Sequence, residues 1–297
     1  MYSNLLRTKE SHQRTPEDHG VFDERISSNI CSRTPASSGW AADLRPTTER
    51  ADGLMTMNGL MTLTSILLAA SSSALQLRYF DARGAAEISR VLLAISGTPY
   101  DDHRYAIERK DDGGFATPEF TEDKEGGALA ANLNRAPVLR VDEEFVLGQS
   151  KAIERYVAAR GGLMGSTAVE AALIDSVAEH CRDVKDAQQR KGFGMFARDK
   201  TDDEKAAAKD EWYAVDLPSW LQRIEAAVKP IERIVCGEQP TYAAVCIWAL
   251  MREGSPEDVA LVAKAAEGCE TLIQIADTVA THPAVAEWVA TRPVTMM

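Results

Sequence analysis

Three places in the chain put groups capable of chemistry where a fold could use them. Tyr79 stands near the end of an alternating run, with Leu75, Leu77 and Tyr79 on one side and Gln76, Arg78 and Phe80 on the other. A helical period starts a few residues later, at Ala85. A phenol at that junction can point into a cleft beside the unpaired N–H groups of a helix start, surroundings that favour negative charge; the same residue is equally a half-buried strand aromatic. Gln149 and Ser150 precede a second helical pattern. An amide, a hydroxyl and free N–H groups converge there and suit a carboxylate, although a serine at this place also serves as a plain N-cap. Pro137 opens a strand after a long loop. A cis peptide there would turn the Ala136 backbone toward a ligand; an ordinary trans proline on an edge strand fits the same position.

The elements that must position these residues follow from periodicity. After the strand at 75–80 and a turn at 81–84, Ile88, Val91, Leu92 and Ile95 form one apolar helical face, stopped by Gly97. Residues 100–107 read as a second strand with a polar face. Residues 108–134 are loop-like, punctuated by Gly113, Gly114, Gly126 and Gly127, with room for a short helix at 125–133. A hairpin follows, from 136–141 to 145–147, and then a helix at 151–159 with Ser150 as N-cap and Gly161 and Gly162 as its stop. The order is β-α-β, loop, β-β-α.

From 167 onward no strand pattern is convincing. Leu173, Val177, Cys181 and Val184 share a helical face, with Asp175, Glu179 and Asp183 on another. A charged helix start at 200–209 runs through Trp212 and is ended or kinked near Pro218. Residues 220–228 are amphipathic, a very apolar helix begins at Thr241, and 258–281 and 284–291 read as helical, the last introduced by Pro283. The expectation is an α+β fold at 75–162 followed by an all-α domain at 166–297.

Composition bounds the function. The 297 residues suffice for one large or two ordinary domains. A net charge of −12 with no Lys/Arg cluster argues against nucleic acid. The five cysteines are widely spaced and form no C-x-x-C pair, so they read as core thiols in a reducing compartment, with no metal expected. Residues 1–74 read as a disordered or targeting-like extension. The apolar stretch within 60–74 is too short to span a membrane, yet resembles the core of a signal peptide lying about sixty residues too late in the chain. A cytoplasmic location is expected, with organelle import or secretion through 60–74 as the alternative.

Taken together, Tyr79-Phe80-x-x-Arg83-Gly84-x-Ala86-Glu87-x-x-Arg90, then Ala136-Pro137-Val138-Leu139-x-Val141-Asp142, then Gln149-Ser150-x-Ala152-Ile153-x-Arg155-Tyr156, resemble the cytosolic glutathione S-transferases, most closely the sigma-like class. The resemblance covers residues 75–297 with order and spacing kept. It implies a thioredoxin-like N-terminal domain, an all-helical C-terminal domain and a homodimer. It also implies an enzyme that joins the glutathione thiolate to small apolar electrophiles. Tyr79 takes the position of the catalytic tyrosine, whose phenol donates to the sulfur. Gln149 and Ser150 match the residues that hold the γ-glutamyl end. Pro137 matches the cis-proline, with the Ala136 backbone facing the cysteinyl unit. Phe120 and Lys124 keep the spacing of the pair at the glycine end, and Arg135 falls at the basic position before the proline. Asp183 matches an acid that reaches the partner subunit's glutathione, or is a solvated helical carboxylate. The resemblance also implies two alternatives, a glutathione-dependent isomerase of the prostaglandin synthase type and a non-catalytic, crystallin-like member. Two departures stand out: Ala85 replaces a frequent arginine beside the tyrosine, and Ala244 replaces the acid of a capping box begun by Thr241.

Overall fold

The computed structural model describes residues 75–111, 114–194 and 197–295, all within one compact unit. The expectations for 1–74 lie outside them. β1 (Leu75–Phe80) leads through a tight turn into α1 (Glu87–Ile95) and back to β2 (Tyr100–Tyr105). A two-residue ladder, β3 (Glu108–Arg109) with β4 (Phe115–Ala116), and α2 (Pro118–Glu125) follow. β5 (Val138–Arg140), β6 (Val146–Gly148) and α3 (Ser150–Arg160) complete this part. The sheet order is β2-β1-β5-β6, with β1 parallel to β2 and antiparallel to β5, and β5 antiparallel to β6.

Alternation in β1 sends its side chains to two cores. Leu75 and Leu77 are buried with Ile88, Val91 and Leu92 of α1 and Ile153 and Val157 of α3, and Tyr79 packs at the margin of that cluster. Phe80 faces the other way, against Tyr105, Leu129, Val138, Phe120 and Val146.

The helices that follow are α4 (Ala168–Lys191), α5 (Asp202–Glu211), α6 (Leu217–Val228), α7 (Glu232–Val235), α8 (Tyr242–Arg252), α9 (Pro256–Ala265), α10 (Glu270–Thr281) and α11 (Pro283–Thr291). α8 is buried nearly all round, as its apolar sequence requires, and packs on α4 and α10, while α1 packs against α8 and α11. The α+β fold followed by an all-α part is therefore as expected.

Three local expectations are corrected and a fourth, at Pro218, is narrowed. The helix in the long loop is α2, which ends at Glu125 where the 125–133 stretch begins; in the rest of that stretch a 3₁₀ turn (Ala130–Asn132) forms. α2 buries no residue completely and has no apolar face for periodicity to detect; Pro118 in its first turn is its one sequence signal. The cap of α3 is Gln149, with no side-chain cap bond, and Ser150 is its first residue. Pro218 does not end its helix. α5 passes through a π-helical turn (Trp212–Asp216) straight into α6, and that wider turn includes Ala214, whose carbonyl a proline ring at 218 would otherwise crowd. The 258–281 stretch is two helices, parted after α9 by Gly268 at φ +84°.

Candidate active site

Strand register assembles the site. Arg78 lies opposite Val138, and Val138 opposite Gly148. One residue further along the same rows stand Tyr79, Pro137 and Gln149, so three landmarks far apart in sequence come side by side near the ends of three neighbouring strands. The peptide between Ala136 and Pro137 is cis. Gln149 holds φ +68° and ψ 114°, a conformation rare for a residue with a side chain, and turns the chain from β6 into α3. Ser150 is thereby left at the helix N-terminus with its hydroxyl not used as a cap.

The turn after β1 is folded back onto Tyr79. The Asp81 N–H donates to the Tyr105 carbonyl at 2.9 Å and the Ala82 N–H to the Phe80 carbonyl at 2.7 Å. The Ala85 N–H then donates to Tyr79 Oη at 3.1 Å. Gly84, at φ +41°, makes this approach possible, because a Cβ there would lie 2.5 Å from the phenol oxygen. With its oxygen accepting from a backbone N–H, the phenol is a stronger donor of its own proton. Ala85 thus acts through its backbone, whatever its side chain.

Behind the turn lies a chain of alternating charges. Arg90, fully buried, donates from Nη1 to the Ala82 carbonyl at 2.7 Å and pairs through Nε with Asp102 at 3.1 Å. Its guanidinium carbon lies 5.9 Å from the centre of the Tyr79 ring, a cation–π approach. Glu87 faces Arg90 at 3.6 Å and receives Arg292 at 2.6 Å and Trp288 Nε1 at 2.8 Å. Glu253 pairs with Arg292 at 2.9 Å and with Arg83 at 3.1 Å, and Arg104 pairs with Asp102 at 2.7 Å and Asp81 at 3.2 Å. Four guanidinium groups (83, 90, 104, 292) meet four carboxylates (81, 87, 102, 253), so the network is neutral and leaves no net cation beside Tyr79. Sequence reasoning missed all of these contacts, although the Glu87-x-x-Arg90 spacing could have placed both residues on one side of α1.

The remaining candidates are distributed around this edge. Phe120 packs on Phe80 and Tyr105, with ring centres 4.8 and 5.5 Å apart, and seats α2 on the sheet. Asp123 reinforces the seat by accepting from Arg78 at 2.7 Å and from the Tyr105 hydroxyl at 2.6 Å. Burial, with this bond to Asp123, pushes the Tyr105 phenol well above the ordinary tyrosine range. Lys124, one turn on from Phe120, is exposed. Arg135 is exposed and donates from Nε to the Asn132 carbonyl at 3.3 Å. Asp183 stands on the exposed side of α4 beside Arg182. Burial pushes the Cys181 thiol up to about 12 and the Cys246 thiol well above the ordinary cysteine range, which makes both poor nucleophiles.

Known proteins agree with this architecture. Residues 75–159 match the glutathione S-transferase N-terminal domain, and residues 187–292 match a C-terminal domain of the same family. Glutathione S-transferase 4 of Caenorhabditis elegans is 38% identical over 109 residues, which are 36% of this chain and 45% of that protein. Hematopoietic prostaglandin D synthase of Gallus gallus is 30% identical over 226 residues, 74% of this chain and 97% of that one. The crystal structure of the glutathione S-transferase from Ascaris lumbricoides superposes with a TM-score of 0.57 at 26% identity, covering 75% of this chain and 98% of that chain. The two family-domain matches and the glutathione S-transferase relatives, on a thioredoxin-like domain followed by a helical domain, define an enzyme of the transferase class. The chain belongs to the glutathione S-transferase family.

Proposed function

We propose that this glutathione transferase is of the sigma-like class and conjugates the glutathione thiolate to small, fairly apolar electrophiles. The observation that carries the proposal is the row of Tyr79, Pro137 and Gln149 at three adjacent strand ends, with the Tyr79 oxygen already accepting from the Ala85 N–H. In this reading the γ-glutamyl end is held by Gln149 and the N–H groups at the start of α3, with the Ser150 hydroxyl beside them. The cysteinyl unit lies along Ala136, and Phe120, Lys124 and Arg135 serve the glycine end. Tyr79 donates a hydrogen bond to the sulfur and stabilises it as the thiolate, whose proton leaves to solvent. A free thiol with pKa about 8.5 is mostly protonated at neutral pH, and the thiolate is the nucleophile. With the surrounding charges balanced and a methyl group at Ala85, stabilisation falls to Tyr79 and the first turn leading into α1. The sulfur then forms a bond to the electrophilic carbon as its leaving group departs.

The same proposal assigns 75–162 to glutathione and 166–297 to the helical domain that completes the second-substrate side. It also includes a cytosolic homodimer in which Asp183 reaches the partner's glutathione. Four free cysteines among the described residues suit a reducing compartment. The name of the Gallus gallus relative favours a second reading, glutathione-dependent isomerisation. The test is retention on immobilised glutathione followed by two assays, conjugation of an aryl halide and isomerisation of a prostaglandin endoperoxide. Turnover of the halide supports the first reading and turnover of the endoperoxide alone the second. Binding without either would leave a glutathione-binding protein.

A further inference from the structure

Asn132 lies outside the strand-end row yet touches two of its members. It ends the 3₁₀ turn Ala130–Asn132 and is 4% exposed. Its side-chain amide donates from Nδ2 to the Pro137 carbonyl at 2.9 Å and accepts at Oδ1 from the Gln149 N–H at 3.1 Å. Those partners fix which end of the amide is which, since a carbonyl only accepts and an N–H only donates. Pro137 and Gln149 are the pair that would face each other if the β5–β6 ladder ran one row further. The Asn132 amide occupies the gap between them and joins the two ends with one side chain. The turn carrying Asn132 is pressed against β6. A Cβ on Gly148 would lie 2.5 Å from the Ala131 carbonyl oxygen and 2.8 Å from Asn132 Cα. Two further left-handed residues, Leu133 at φ 53° and Asn134 at φ 60°, carry the chain from this turn toward Ala136.

We infer that Asn132 is a positioning residue for glutathione. It sets the distance between the Ala136 peptide and the Gln149–Ser150 helix start, and so governs affinity for the tripeptide without acting on the sulfur. The inference rests on the glutathione reading above. A buried amide bonded at both ends holds its neighbours firmly, and removing one end leaves a desolvated carbonyl or N–H unpaired.

The test uses the full chain. Asn132→Asp keeps an oxygen for the Gln149 N–H but turns a carboxylate oxygen toward the Pro137 carbonyl. Gly148→Ala leaves Asn132 intact and pushes the turn away from the other side. Each should weaken glutathione binding about tenfold, by calorimetry of the binary complex, the scale expected when one buried hydrogen bond is lost. The pH titration of the bound thiolate and kcat at saturating glutathione should stay as in the wild type. Unchanged affinity in a folded variant of either kind, or a loss of kcat with affinity intact, overturns the inference. A wild-type chain that binds no glutathione overturns the functional reading itself, and this inference with it.

Discussion

Arg292 Nη1 lies 2.6 Å from Glu87 Oε1, so the residue after the last helix is fastened to the first residue of α1. Trp288 donates to the same carboxylate oxygen, and Arg90 stands on its other side. Breaking a buried pair from one side leaves uncompensated charge, which costs about 3 kcal/mol or more. Glu87→Gln should therefore lower unfolding stability by about that amount, because it strips the shared partner from two arginines. Arg292→Met should cost less, since Glu87 keeps Arg90 and Trp288. Urea midpoints of both single variants and the double variant would check this; additive losses would mean that the two residues act independently.

Tyr79→Phe deletes one hydroxyl and keeps the ring on the Leu75–Leu77 side of the sheet. The pKa of bound glutathione should rise toward the free value of about 8.5. A raised pKa means less thiolate at neutral pH, so turnover should fall there and partly recover as pH increases. Loss of a preorganised donor to an anion costs roughly 10²–10³ in rate at most, and the lower end is expected because the thiolate is a ground-state species. Thiolate absorbance of the binary complex against pH, for both proteins, is the measurement. Superimposable titrations with equal turnover would reduce Tyr79 to a strand aromatic.

Gly84→Ala brings a methyl group to 2.5 Å from Tyr79 Oη and must displace either the phenol or the turn. Turnover should drop with little change in glutathione affinity. In a Tyr79→Phe background the colliding oxygen is gone, so the added loss should be smaller, with a coupling of roughly 1 kcal/mol in the activation free energies. Equal losses in both backgrounds would show that the turn matters through its φ of +41° alone.

Ser150→Ala separates capping from binding. A serine N-cap would cost about 1 kcal/mol on removal. Ser150 is instead the first residue of α3 and makes no cap bond, so thermal stability should stay within about 0.5 kcal/mol while the KM for glutathione rises. A full loss of cap stability with an unchanged KM would remove Ser150 from the binding site.

The sequence marked β1, α1 and α8 through their apolar period, although it ran α9 and α10 together as one stretch. It also carried the three motifs, because Tyr79, Pro137 and Gln149–Ser150 are marked by local punctuation: a strand end, a proline and a helix start. It was silent on α2, whose polar surface has no period, and it placed the cap of α3 one residue late because serine is the better cap and Gln149 takes that position by its backbone conformation alone. Tertiary structure decided the rest. Strand register, a long-range pairing, put residues 79, 137 and 149 in one row. Packing of α11 on α1 brought Arg292 to Glu87 across 205 positions, and the approach of Gly148 to the 3₁₀ turn buried the Asn132 amide between two strand ends. Each depends on which surfaces meet when the chain is compact, and no local pattern of residue types encodes that distance.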